Sequence, residues 1–393
     1  MSVDTGGRRA AQALLQASER LGPPPDLGRL RRRRRRRAAG RATLAFAAVL
    51  VAVAVAVAGR AVPGLDRVVP DPAAPAAAPP PGNPGPDTID VGPADASELA
   101  AGASGLWLLN HHNDRGNELV RVDPGGLRVT ARIEIGDSAS TPVVGEDGSL
   151  FAVRPRNGTR PDRPELVRVD PATNRVAATF VLPSASRTYG VTGLVATRGM
   201  VWVAYPGRGL VRVDPAARTT REFTAGGRLV GVDRLAVAGG RLWAANGREL
   251  HRVDPRDGTV EATVGDRDLR AAMPPAALAG GAGGLWVHGF GPDGERLLRL
   301  DPASGRVQAV TALSERTDGR LVQVDLGADD RVVAIRSGSR LLLADPDQGA
   351  VSAAMPAPGT RSAGMAVRSG VIWLSDPAKG RLVRIGPAVL GRP

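Results

Sequence analysis

Few residues in this 393-residue chain have side chains that could act on a ligand, and they are scattered. There is no cysteine and there are four histidines, so thiol nucleophiles, disulfides and cysteine-bound zinc are excluded together. His111-His112-Asn113-Asp114 carries metal-ligand residue types, yet adjacent side chains do not readily converge on one ion. No H-E-x-x-H, EF-hand loop or G-x-S-x-G is present. The remaining candidates are His288, Arg154, Tyr189 and Tyr205, and what they could do depends on which elements bring them together.

Those elements are written as a sevenfold repeat. The run Leu-Val-Arg-Val-Asp-Pro ends at Pro124, Pro171 and Pro215, recurs with small changes at Pro255, Pro302 and Pro346, and fades to Leu-Val-Arg-Ile-Gly-Pro at Pro387. The spacing is about 44 residues, the period of a four-stranded propeller blade. Each unit has a short small-residue strand A and a strand B such as Gly240-Arg-Leu-Trp-Ala-Ala245. Strand C ends in Asp-Pro, and strand D follows. Asp-Pro suits the C-to-D corner: proline fixes φ at the first central position, aspartate bonds the backbone two residues on, and Asn174, Gly258, Gly305 or Gly349 takes the left-handed conformation. The expected fold is an all-β, seven-bladed β-propeller over residues 87–393. Its last repeat is too short for its own strand D, so residues 87–91 are expected to complete blade seven and join the chain ends.

Six blades pair an aromatic on strand B with an arginine on strand C: Trp107 with Arg121, Phe151 with Arg168, Trp202 with Arg212, Trp243 with Arg252, Trp286 with Arg299 and Trp373 with Arg384. Blade six has neither, with Val333 and Leu343 expected at those places. The two positions share a face of the B–C hairpin, so each guanidinium is expected to stack on the ring of its own blade, a structural role worth about 0.5–2 kcal/mol. An anion-binding ring of arginines would not explain why both residues vanish together.

The Leu-Val-Arg-Val-Asp-Pro and Leu-Trp-Val motifs resemble those of the YVTN, NHL and virginiamycin B lyase-like group of β-propellers, over about residues 87–393. The resemblance implies architecture more than activity, because these motifs build the fold. It also implies a ligand site over the central channel, on the face made by the B–C and D–A loops. His111, His112, Arg154, Tyr205 and His288 fall in or near the B–C loops, and Tyr189 in a D–A loop; these are the expected ligand-binding residues. Lyase members of the group use a His and Glu set with magnesium in motifs that have no counterpart here, so no cofactor and no catalytic residue is expected. The leading reading is a binding or scaffold module for a protein, glycan or cell-wall ligand; the alternative is a lyase-like or hydrolytic enzyme using the same face.

The N-terminal part reads differently. Residues 1–41 hold twelve arginines against three acidic residues, and most of the net charge of +13 lies there. The rest of the chain has little basic excess, which argues against nucleic-acid binding. Residues 42–59 carry no charge and would span roughly 27 Å as a helix, enough for one membrane crossing. The block Arg31 to Arg37 is expected to stay cytoplasmic, against anionic lipid head groups, and to leave the propeller outside. Secretion after signal cleavage at Ala56-Val57-Ala58 is the alternative. The tail is expected to be mostly disordered, and the Pro/Ala-rich residues 60–86 to act as a semi-rigid spacer. This layout of tail, arginine run and membrane helix resembles single-pass proteins of high-GC bacteria, some of them anti-sigma factors, although no zinc-binding motif is present in the tail.

Overall fold

The apolar residues of each repeat alternate over four short runs, and a single four-stranded sheet cannot hide both of its faces. The computed structural model resolves this by packing seven such sheets side by side. It describes residues 87–112, 116–136, 140–155, 164–184, 191–205, 207–247, 249–265, 269, 275–281, 283–291, 294–314, 324–347, 349–357 and 364–386. The expected cytoplasmic tail, membrane helix and spacer all lie outside the described residues, as does Tyr189. Among the described residues no helix is long and apolar enough to cross a membrane.

Blade 1 comprises strands Ala96–Gly102, Gly105–His111, Asn117–Asp123 and Arg128–Gly136, each hydrogen-bonded to the next in antiparallel register. Blades 2 to 6 repeat this order. In blade 7 the outer strand comes from the start of the propeller: Asp87–Asp90 pairs with Arg381–Ile385, placing Thr88 opposite Val383 and Ile89 opposite Leu382. The ring is thus closed by hydrogen bonds between its two ends rather than by a continuous hairpin. Successive A strands touch one another around the axis, and the last of them, Met365–Arg368, returns to the first.

Packing near the axis demands small residues. A Cβ on Gly280 would lie 1.7 Å from the Val237 carbonyl oxygen of the preceding blade, so the A strands meet there backbone to backbone with no space for a side chain.

The core consists of seven interfaces between neighbouring blades. Trp107 of blade 1 packs with Leu150, Ala152 and Val167 of blade 2, and Trp286 of blade 5 with Val333, Ile335 and Leu342 of blade 6. Trp202, Trp243 and Trp373 make the equivalent contacts with blades 4, 5 and 1, and Phe151 with blade 3. Each aromatic is buried against the following blade rather than only within its own. Burying a large side chain this way contributes roughly 1.5–3 kcal/mol.

All six Asp-Pro corners form as their residues dictate. Oδ1 of Asp123, Asp170, Asp214, Asp254, Asp301 and Asp345 accepts a hydrogen bond from the backbone N–H two residues on. The residue three after each proline has positive φ, even where it is Leu127 (48°) or Arg218 (55°).

Candidate functional site

The B–C and D–A ends of the blades form one face of the ring, and the sequence-predicted ligand residues lie there in separate blades. His111 ends strand B of blade 1 and His112 follows it. Asn117 Nδ2 lies 3.1 Å from His111 Nδ1, Glu98 Oε1 3.9 Å from His111 Nε2, and Glu118 Oε1 3.6 Å from His112 Nε2. Burial, with His112 alongside, lowers the His111 pKa. In blade 2, Arg154 donates from Nη1 to the Ile135 carbonyl (3.3 Å) and pairs through Nη2 with Glu165 at 3.5 Å. Tyr205 of blade 3 is buried with no partner for its hydroxyl, and burial pushes its phenol well above the ordinary value.

His288 departs from expectation. It is a fully buried strand residue, with Nε2 2.8 Å from Oε1 of the equally buried Glu295 and its ring edge-on to Phe290. The five described candidates are therefore tied to partners or buried inside blades 1, 2, 3 and 5, and they do not assemble around one point. Among the described residues no three His, Asp or Glu side chains are placed to hold a metal ion.

Closer to the axis, strand A contributes charge that the loop-based reading missed. Arg234 begins strand A of blade 4 and Asp233 precedes it, with 3.6 Å between Arg234 Nη1 and Asp233 Oδ2. Burial raises the Asp233 pKa, and its Oδ1 has no hydrogen-bond partner. In blade 6, Arg336 is buried and donates from Nη1 to Asp325 Oδ2 at 3.2 Å. Burial outweighs the attraction of Arg336 and pushes the Asp325 carboxyl up to about 6. The repeat held a signal for this pair: Arg336 occupies the strand B place taken by Leu109, Val153, Ala204 and Ala245 in other blades. This face offers ion pairs and buried polar atoms held in fixed geometry, which suits recognition of a polar surface.

At the opposite face, built from the A–B turns and C–D corners, the expected stacking on the ring of strand B is formed by Arg121 and Arg299, whereas Arg168 and Arg252 bond the carboxylates of Asp147 and Glu261 in their own blades. All six aromatic–arginine pairs are directly opposite in register. Arg121 lies 5.4 Å from the Trp107 ring centre and Arg299 5.8 Å from that of Trp286, whereas Arg212 lies over Phe223 of strand D at 5.6 Å. Three guanidiniums reach across to the next blade. Arg121 donates to the Pro171 carbonyl and, at 2.9 Å, to Asn174 Oδ1; Arg212 donates to the Arg256 carbonyl, and Arg299 to that of Asp347. Each acceptor belongs to the following blade's Asp-Pro corner.

This accounts for the arginine missing from blade six. Blade seven draws its outer strand from residues 87–90 and so has no C–D corner to receive a guanidinium. Leu343 packs instead with Ile372, Val383 and Ile385 of blade 7. Its strand B partner is Ala334 rather than the expected Val333, which points to the other side of the strand.

These features define a seven-bladed β-propeller with its chain ends joined in the last blade. Residues 140–294 match the family described as a repeat of unknown function, DUF6923. The fold is similar to a chain of hydrazine synthase from Kuenenia stuttgartiensis, at 13% identity and TM-score 0.60 over 76% of this chain and 97% of that one. It is also similar to the Cps50 (Swd1) β-propeller domain of Myceliophteria thermophila, at 12% identity and TM-score 0.56 over 77% and 99%. A chain of the mitotic checkpoint complex matches at 14% identity and TM-score 0.57 over 82% and 99%. No curated protein matches the chain.

Proposed function

We propose that this chain is a membrane-anchored binding scaffold. Residues 42–59 hold the propeller outside the cytoplasm, and the face made by the B–C and D–A ends receives a protein, glycan or cell-wall ligand. The observation that carries this reading is how charge is arranged on that face: Asp325 with Arg336, Asp233 with Arg234 and Arg154 with Glu165 are paired blade by blade instead of converging on one reacting centre. A rigid surface of this kind recognises shape and charge, whereas acid–base chemistry needs groups within hydrogen-bond reach of one substrate atom. A similar propeller comes from a multi-protein assembly, the mitotic checkpoint complex, which supports the scaffold reading.

A photo-crosslinking residue at Arg208, exposed in the B–C connection of blade 3, and another at Asp330, exposed in an A–B turn, test it in intact cells. Crosslinks to a discrete species from position 208 and not from 330, with both positions reached by a membrane-impermeant label, are expected. Protection of both positions from the label would overturn the external location; equal or absent crosslinking would overturn the choice of face.

A further inference from the structure

The cleft between blades 2 and 3 combines two departures, one in its arginine and one in its strand B aromatic. In the clefts after blades 1, 3 and 5 an arginine from the preceding blade reaches the next Asp-Pro corner. In blade 2 the arginine turns back into its own blade, as Arg252 does in blade 4: Arg168 donates from Nη2 to Asp147 Oδ2 at 2.7 Å and from Nε to Ser149 Oγ at 2.9 Å. Blade 2 is also the one whose strand B aromatic is Phe151 instead of tryptophan. The space left by both changes is a cavity of about 280 Å³ lined by Phe151, Arg168, Asp147, Met200, Pro215 and Ala216.

We infer that this cavity binds the guanidinium of an arginine presented by a partner polypeptide. Three observations converge on that group. First, the corner of blade 3 has the backbone shape of the corners that accept arginine: Ala216 N–H bonds Asp214, and Arg218 has φ 55° against 53° for Asn174. It therefore presents the same carbonyls, which no guanidinium from blade 2 reaches. Second, the walls are mostly apolar, with Phe151, Met200 and Val201 among them. A guanidinium is flat and weakly hydrated on its faces, so it stacks on such walls while its edge donates hydrogen bonds. Third, the charge balance permits a cation: Asp147 offsets Arg168, and Glu146 adds a carboxylate to the lining. The chain places this same chemical group in three equivalent clefts, which makes it the occupant best matched to this one. The site is on the face opposite the proposed scaffold surface, so either can fail without the other.

Titration of the full-length protein in detergent with N-acetyl-arginine amide tests the inference, with the matching citrulline and lysine amides as comparators. Saturable binding of the arginine compound is expected, with affinity lower by at least about tenfold for neutral, isosteric citrulline. Phe151→Trp restores the residue found in five other blades and fills the cavity without changing charge, so it should abolish binding. Ala216→Leu narrows the cavity from its exposed rim and should weaken binding even if the tryptophan variant misfolds. No saturable binding, equal affinity for citrulline, or binding unaffected by both substitutions would overturn the assignment.

Discussion

Replacing Arg121 with methionine keeps its aliphatic stem over Trp107 and removes the charged head that joins blade 1 to blade 2. That head donates to the Pro171 carbonyl, to Asn174 Oδ1 at 2.9 Å, and to the Ser104 carbonyl at 3.2 and 2.8 Å. A hydrogen bond to a charged group contributes about 1.5–3 kcal/mol, and a partly exposed one falls at the low end because water replaces some of it. Three acceptors sharing one half-buried guanidinium give roughly 2–4 kcal/mol, since such bonds do not add fully. For a propeller of this size that is a fall of about 3–6 °C in melting temperature. Arg252 supplies the control. It bonds Glu261 of its own blade at 2.9 Å, and Arg241 bonds the same carboxylate at 3.1 Å, so Arg252→Met leaves that carboxylate paired and should cost less than about 1 kcal/mol. Calorimetry of both variants decides the matter. If the two cost the same, or Arg121→Met costs nothing, the arginines do not join blades and the explanation of blade six fails with them.

The Asp325 carboxyl ionises at about 6 in the folded chain and near 3.8 when unfolded. Below both values it has no effect. As pH rises between them, the unfolded state releases its proton first, so stability falls through this window and the loss is complete above about pH 6. A quarter of the side chain is exposed, which limits the loss to about 1–3 kcal/mol. Asp325→Asn should remove that slope in urea melts between pH 4 and 7; an unchanged slope would contradict the burial of this carboxyl. His288→Ala strips a buried partner from Glu295 and should destabilise by about 2–4 kcal/mol in the same assay, whereas a loss below 1 kcal/mol would return His288 to the exposed loop residues. Gly258→Ala meets both a φ of 78° and the Phe223 ring at 2.3 Å, while Gly226→Ala meets a φ of 67° and open space. The second should cost about 1–2 kcal/mol and the first roughly 1–3 kcal/mol more; equal costs would show that the corner does not pack on Phe223.

The repeat made the architecture legible because each Asp-Pro corner is a local event, set by three or four consecutive residues. The aromatic–arginine register was legible for the same reason, since strands B and C are joined by a short connection. What the arginines touch was not. Arg121 and Pro171 are fifty residues apart, and their meeting depends on the offset between neighbouring blades, which no pattern within one blade encodes. The joint loss of Trp and Arg in blade six was visible, but the missing acceptor for the arginine lies in blade seven and in how the ring closes. His288 was grouped with the loop residues because it lies close to the B–C connection of blade 5, although it continues the strand Gly284–Gly291 and finds Glu295 across the hairpin. Asp325 and Arg336 were hidden in apolar strands of the most divergent blade.

The central claim is a ring whose first strand completes its last blade. Because the chain has no cysteine, a single engineered pair reports on this without interference. Thr88 and Val383 are register partners across the closing seam, so the doubly substituted Thr88→Cys, Val383→Cys chain should form an intramolecular disulfide under mild oxidation. It should also melt higher than its reduced form, by an amount equivalent to about 2–4 kcal/mol. Free thiols after oxidation, or a crosslink only between separate molecules, would contradict the closed seven-bladed ring.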